Sequence, residues 1–214
     1  MKEKIRRVFG LFAFIFLVWG CYRLIFRLPE NIEELFLKPL VWLGPTFYLV
    51  FNKEKRKISS LGFSGKNFFK SIYWGIGLGV VFALTGLLGN FFKNKGFTFV
   101  EFGSSGFAFF GPFFISFATA ISEEIVFRGY IFNRLNETLK NEPVANIFAG
   151  ALFVLIHLPI VVFVLHYNFW EVVVYSILIF LFSLGSSIIF SRTKNITSSI
   201  MAHVFWSWPL ILFK

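Results

Sequence analysis

Long apolar stretches separated by short charged segments constrain the fold of this chain more than any other feature of its sequence. Seven stretches lie near residues 8–26, 35–51, 71–92, 107–127, 144–165, 171–190 and 196–213. Each is close to the roughly 20 residues that a helix needs to cross a bilayer core. None alternates apolar and polar residues as a barrel strand does. The sequence therefore predicts an all-α, polytopic membrane helix bundle with about seven transmembrane helices, forming one integral membrane domain over residues 1–214.

The composition supports a membrane class and excludes others. Hydrophobic residues make up 57% of the chain and charged residues 15%, against roughly 45–50% and 25% in soluble domains. The single cysteine, Cys21, excludes a disulfide scaffold within the chain. A formal net charge of +10 would suggest a nucleic-acid partner in a soluble protein. In a membrane protein, basic residues accumulate in cytoplasmic loops, so we predict membrane lipids and no nucleic acid as partners.

The distribution of basic residues predicts the orientation. With a cytoplasmic N-terminus, fifteen basic residues fall on the inner side: Lys2, Lys4, Arg6, Arg7, Lys53, Lys55, Arg56, Lys57, Lys66, Lys70, Arg128, Arg134, Lys140, Arg192 and Lys194. Six fall outside: Arg23, Arg27, Lys38, Lys93, Lys95 and Lys214. This asymmetry predicts a cytoplasmic N-terminus in the cell membrane. Residues 1–21 faintly resemble a cleavable signal, but the apolar run continues past them, which favours a retained helix.

Ionisable residues inside three of the predicted spans mark a candidate functional site. An ionisable group within a membrane costs about 2.5–3.5 kcal/mol on insertion scales, so its presence calls for a function. The residues are Glu123, Glu124 and Arg128 in the fourth span, His157 in the fifth, and His203 with Ser207 in the seventh. Each is weak evidence alone, and their occurrence together on three spans is the informative feature.

The spacing in the fourth span predicts different roles for its two glutamates. Glu124 and Arg128 are four residues apart, with the acid first, which is the favourable order for an ion pair on one helix face. Glu123 lies about 100° further round the helix. We therefore expect Arg128 to hold Glu124, and Glu123 to present an uncommitted carboxylate to the interior of the bundle.

This set of side chains suits more than one chemistry. A carboxylate and an imidazole can share a water molecule and take its proton as it attacks a carbonyl group. A second imidazole and a hydroxyl can then stabilise the oxyanion. Alternatively, Glu123, His157 and His203 could bind Zn²⁺ and leave one position open for water. The residues alone do not distinguish a metal-free glutamate from zinc.

At these positions the chain resembles the intramembrane CAAX-protease and bacteriocin-processing family, also called CPBP or Abi, which includes the type II CAAX prenyl endopeptidases. Glu123-Glu124-x-x-x-Arg128 matches its first motif, Phe153-x-x-x-His157 its second, and His203 begins its last. The resemblance covers about residues 115–210, the predicted catalytic core. It implies that Glu123 activates water with the help of His157. It further implies that His203 and the residue four positions later stabilise the oxyanion, while Glu124 and Arg128 support the site.

One position departs from the family pattern. The family usually has Asn or Asp four residues after the last histidine, and here that residue is Ser207. A serine hydroxyl can donate a hydrogen bond, but from a shorter side chain than asparagine. The departure raises the alternative of a weakened, altered or lost activity.

The sequence thus predicts an integral membrane endopeptidase. By the resemblance, its substrate is a peptide or lipidated protein at the membrane, of prenylated CAAX-like or bacteriocin type. The first alternative is a catalytically weak or inactive immunity or scaffold protein of the same fold. A small proton- or metal-coupled transporter is a further alternative, since buried Glu and His also serve in relays.

Overall fold

The computed structural model describes residues 2–26, 28–98 and 106–211, and within these ranges the chain is helical without strands. Seven long helices follow one another: α1 (Lys2–Ile25), α2 (Glu30–Lys53), α3 (Phe68–Asn94), α4 (Gly106–Glu124, Ile125–Phe132 and Asn133–Leu139), α5 (Glu142–Val164), α6 (Phe169–Thr193) and α7 (Thr197–Ile211). The prediction of an all-α helix bundle is confirmed.

Six of these helices, α1 to α6, are long and apolar enough to cross a membrane. The seventh, α7, is described over 15 residues, and the last two residues of its predicted span lie outside the described part of the chain. Large apolar side chains such as Phe69, Leu40 and Phe114 face outward, which suits a lipid environment. The chain is an integral membrane protein.

The fourth helix differs most from its prediction. The apolar run was expected to end at residue 127, but α4 continues to Leu139. Its middle part, Ile125–Phe132, is π-helical, and all eight of its residues are buried. Arg134, beyond this part, is also fully buried and donates to Glu54 at 2.8 Å. Because buried partners neutralise these charges, the helix extends through residues that hydropathy alone assigns to a loop.

Two glycines bring α3 against α7. A Cβ atom on Gly75 would lie 2.5 Å from the Ser198 carbonyl oxygen, and one on Gly79 would lie 2.7 Å from the Ala202 carbonyl oxygen. Glycines four residues apart lie on one face of a helix and permit this close approach of two backbones in lipid. The contact fixes the position of α7, which carries His203.

Local signals set the starts of α5 and α6. The Asn141 side chain accepts a hydrogen bond from the Val144 backbone, and Asn168 forms a reciprocal capping box with Glu171. Such side chains satisfy amides that have no partner at a helix start. Capping residues close in the sequence therefore determine where these two helices begin.

Candidate active site

Three helices that are distant along the chain bring the predicted site residues together. Glu123 lies in α4, His157 in α5 and His203 in α7. Glu123 Oε2 is 3.6 Å from His157 Nε2 and 3.9 Å from His203 Nε2. One carboxylate oxygen and two imidazole nitrogens thus face a common point, at distances that a bridging water molecule can span.

Glu124 anchors this arrangement. Its side chain is fully buried and accepts hydrogen bonds from Arg128 Nη1 at 3.0 Å and from Ser186 Oγ at 3.0 Å. His203 Nδ1 lies 2.7 Å from the same carboxylate. An ionised carboxylate can only accept, so Nδ1 carries the proton, and the other ring nitrogen is directed towards Glu123. Glu124 thereby fixes the orientation of the His203 ring.

His157 is held by its own helix. Its Nδ1 lies 2.7 Å from the Phe153 carbonyl oxygen, and because a carbonyl oxygen can only accept, Nδ1 is the donor. The rings of Phe153 and His157 also make an edge contact, with their centroids 4.6 Å apart. The Phe-x-x-x-His motif therefore has a physical role: the residue one turn earlier sets the tautomer and the ring position, so that Nε2 faces Glu123.

The expectation of an uncommitted carboxylate at Glu123 is wrong for one of its oxygens. Lys38 Nζ, from α2, lies 2.7 Å from Glu123 Oε1. The other oxygen, Oε2, is buried and makes no hydrogen bond within the described residues. The ammonium group stabilises the negative charge of the carboxylate, while Oε2 stays directed at the two histidines.

Arg128 is one turn along α4 from Glu124 and is 1% exposed. Its guanidinium carbon lies 4.3 Å from the Phe153 ring centroid and 5.6 Å from that of Phe182. Contact with aromatic faces stabilises a cation in a desolvated site. Arg128 is therefore part of the protein core behind the site, and its assignment to an inner loop in the basic-residue count is wrong.

Lys38 is the site residue that the sequence analysis missed. The count of basic residues places it with the six on the outer side. In the structure it is 4% exposed and also contacts Glu34 Oε2 at 2.7 Å. The available signal was the spacing, since Glu34 and Lys38 repeat the four-residue acid-to-base order of Glu124 and Arg128.

The ion pairs continue from Lys38 towards the end of α1. Glu34 accepts a hydrogen bond from Thr119 Oγ1 at 2.6 Å, and its other oxygen lies 3.6 Å from Arg23. Arg23 also pairs with Glu33. The cluster links α1, α2 and α4, so the first two helices contribute charge to the site.

The site borders a cavity of about 240 Å³. Glu123, His157 and His203 line it on one side, and Lys38 with Arg23 on another. The walls also include aromatic and aliphatic side chains, among them Trp42, Tyr175, Ile179 and Trp206. A lining of apolar side chains with a few polar groups is typical of ligand-binding sites.

Ser207 also lines this cavity, one helical turn beyond His203. Its hydroxyl donates to the His203 carbonyl oxygen at 2.9 Å. The hydroxyl is therefore used within the helix, whereas the resemblance seen in the sequence implies an oxyanion role for this position. Donation to a substrate would require the side chain to rotate away from that carbonyl group.

The described residues offer no ready set of ligands for the alternative zinc site. Within the described residues, no group of three or more His, Cys, Asp and Glu side chains is arranged to hold a metal ion. Lys38 also places a positive charge 2.7 Å from Glu123, which opposes a second cation at that carboxylate. Whether the protein contains zinc stays a prediction that metal analysis can test.

Comparison with known families connects this geometry to a reaction class. Residues 105–209 match the model of the family described as type II CAAX prenyl endopeptidase Rce1-like. The matched segment contains α4 from its first described residue, α5 and α6, and α7 almost to its end. This segment belongs to the type II CAAX prenyl endopeptidase Rce1-like family. No curated protein and no solved structure matches the chain.

The Rce1-like segment supplies both glutamates of the motif, both histidines and Arg128. The match of this segment implies a hydrolase of the CAAX-endopeptidase type. Lys38 and its partner Glu34 come from α2, and Arg23, which pairs with Glu34, comes from α1. All three lie outside the matched residues. The first two helices therefore add contacts to the site that the family match does not describe.

Proposed function

We propose that the protein is an intramembrane endopeptidase in which Glu123 and His157 activate a water molecule for attack on a peptide bond. The observation that carries the proposal is the convergence of Glu123 Oε2 with the two Nε2 atoms, at 3.6 and 3.9 Å, beside a cavity. Glu123 Oε2 has no other hydrogen-bond partner among the described residues, so it is available to take a proton from water.

The proposed reaction needs no covalent intermediate. Water attacks the carbonyl carbon as its proton passes to Glu123, and His157 Nε2 accepts the water's other hydrogen bond. The oxyanion that forms lies at His203 Nε2. For Nε2 to donate there while Nδ1 donates to Glu124, the His203 ring must carry both protons. Glu123 then passes its proton to the departing amine as the bond between carbon and nitrogen breaks.

Lys38 has a positioning role in this proposal. Its ion pair with Oε1 restricts rotation of the Glu123 carboxylate and keeps Oε2 towards the histidines. A base that is held in the correct orientation reacts faster, because its effective concentration at the reacting water molecule is higher. Glu124 positions His203 in the same way, and Arg128 balances the negative charge of Glu124. The proposed catalytic core is residues 115–210, and α1 and α2 complete it.

The substrate is proposed to be a membrane-associated peptide or lipidated protein, of prenylated CAAX-like or bacteriocin type. The membrane itself is part of the binding environment, because the cavity lies among membrane-spanning helices. We further propose that the protein resides in the cell membrane with a cytoplasmic N-terminus, as the distribution of basic residues favours.

A second candidate rests on Ser207. Its hydroxyl donates to the His203 carbonyl oxygen, and serine replaces the usual amide or carboxylate side chain of the family there. A chain with a weakened oxyanion site could retain the bundle and bind a membrane peptide without turning it over. It would then act as an immunity or scaffold protein.

Comparison of peptide termini in membranes tests the two candidates. Membranes containing wild-type protein, Glu123→Gln or Glu3→Gln are analysed by mass spectrometry for newly formed termini. Glu3 is an exposed glutamate remote from the cavity, so its variant is the matched control. The endopeptidase proposal expects termini that are present with wild type and Glu3→Gln and absent with Glu123→Gln. Identical termini in all three membranes, with equal protein levels, would contradict it and favour the non-catalytic candidate.

A further inference from the structure

The two ends of the bundle differ in charge. One end, here called the basic end, carries the start of α1 and the connections α2–α3, α4–α5 and α6–α7. These segments meet through ion pairs such as Lys4–Glu137 at 3.3 Å, Arg56–Glu137 at 2.7 Å and Arg192–Glu142 at 3.0 Å. The opposite end, here called the cavity end, carries the α1–α2 and α5–α6 connections.

The basic residues concentrate strongly at the basic end. Once the buried Arg128, Arg134 and Lys38 are set aside, thirteen basic residues of the inner set remain at the basic end. Three described residues of the outer set, Arg23, Lys93 and Lys95, lie elsewhere. Such an excess marks the cytoplasmic side of a membrane protein. The basic end is therefore assigned to the cytoplasm.

The cavity lies in the other half of the molecule. Glu30 and Arg23, at the two sides of the α1–α2 connection, line it together with Tyr175, near the start of α6. On α4 the lining residues include Ser116 and Thr119, which lie between Glu123 and the cavity end. Glu30 is exposed, so the cavity reaches the surface there.

The cavity does not extend along α4 towards the basic end. After Glu123 and Glu124, α4 continues as Ile125–Phe132, whose residues are all buried. None of these eight residues lines the cavity. Among the described residues of α4, those that line the cavity are therefore Glu123 and residues on its cavity-end side.

We propose that the cavity opens on the non-cytoplasmic side of the membrane, so that its substrate is a peptide segment exposed at that face. The statement about the substrate rests on the proposed function, whereas the direction of opening does not. Opening on this face excludes a substrate that is reached from the cytoplasm. An exported or membrane-anchored peptide, with its scissile bond in or near the outer leaflet, fits this geometry.

Cysteine accessibility tests the proposal without a substrate. The exposed Cys21 is first replaced by serine, and single cysteines are then introduced. Ser116→Cys reports on the cavity, and Ser122→Cys is its matched control, because both serines are buried in α4 and only Ser116 lines the cavity. Glu30→Cys and Lys57→Cys mark the cavity end and the basic end, since both positions are exposed.

The probe is a small, membrane-impermeant trimethylammonium methanethiosulfonate, applied to intact cells and to inverted membrane vesicles, with the adduct measured by mass. We expect Glu30→Cys and Ser116→Cys to react in intact cells and Lys57→Cys only in inverted vesicles. Ser122→Cys should react in neither. Reaction of Ser116→Cys only in inverted vesicles, or in neither preparation while Glu30→Cys reacts, would overturn the proposal. So would reaction of Lys57→Cys in intact cells. None of these outcomes depends on catalysis, so a failure here is distinct from a failure of the endopeptidase proposal.

Discussion

Replacement of Lys38 by methionine should destabilise the protein strongly. The ammonium group lies 2.7 Å from both Glu34 and Glu123 and its side chain is 5% exposed. Methionine keeps most of the side-chain volume but leaves two carboxylates close together without their shared cation. Removing one partner of a buried ion pair typically costs about 3–5 kcal/mol. We expect a loss in this range, because Glu34 retains Thr119 while Glu123 Oε1 loses its partner.

The free energy of unfolding in mixed micelles is the appropriate measurement, with Lys57→Met as the matched control for an exposed lysine. A second variant, Lys38→Met with Glu123→Gln, removes the buried charge that the first variant leaves unpaired. We expect this double variant to recover part of the lost stability, because a neutral amide is less costly to bury. The reasoning is refuted if Lys38→Met is as stable as Lys57→Met, or if the double variant is less stable than the single one.

Three other variants or conditions test separate parts of the account. Gly79→Ala should lower the free energy of unfolding by about 1–3 kcal/mol through overpacking against α7. Gly77→Ala should lower it little or not at all, because there is open space around its Cβ position. Equal effects of the two substitutions would contradict the glycine contact. Ser207→Asn should raise the turnover number of a confirmed substrate, since a longer amide side chain can reach the oxyanion, and an unchanged or lower value would count against that role. Hydrolysis should persist with a metal chelator, and purified protein should contain no stoichiometric zinc; loss of activity that zinc restores would show the metal-dependent alternative.

The helix pattern could be predicted from the sequence because lipid imposes long apolar runs on every crossing segment. The convergence of Glu123, His157 and His203 could also be predicted, since ionisable residues are unusual in such runs. Helix ends were predicted less well. In α4 the charges of Arg128 and Arg134 suggested a loop, whereas the structure buries both beside acidic partners. A hydropathy scale assigns every charged residue the full cost of burial, because it takes no account of an ion-pair partner elsewhere in the chain.

The role of Lys38 illustrates the same limit. Its partner Glu123 is 85 residues away in the chain, and only the packing of α2 against α4 brings them together. The sequence predicts interactions within one helix, such as Glu124 with Arg128, because the helical repeat fixes their distance. It does not predict contacts between helices, which depend on the rotation and depth of each one. The direction in which the cavity opens depends on the same tertiary information.

The rate of peptide hydrolysis by Glu123→Gln protein tests the central claim most directly. Wild type and variant are reconstituted in liposomes with a synthetic peptide spanning a cleavage site found in wild-type membranes, and single-turnover rates are compared. A general base typically contributes about 10²–10⁴-fold, so the variant should be slower by at least about 100-fold while it remains folded. A folded variant that cleaves the peptide at close to the wild-type rate would contradict the assignment of Glu123 as the base.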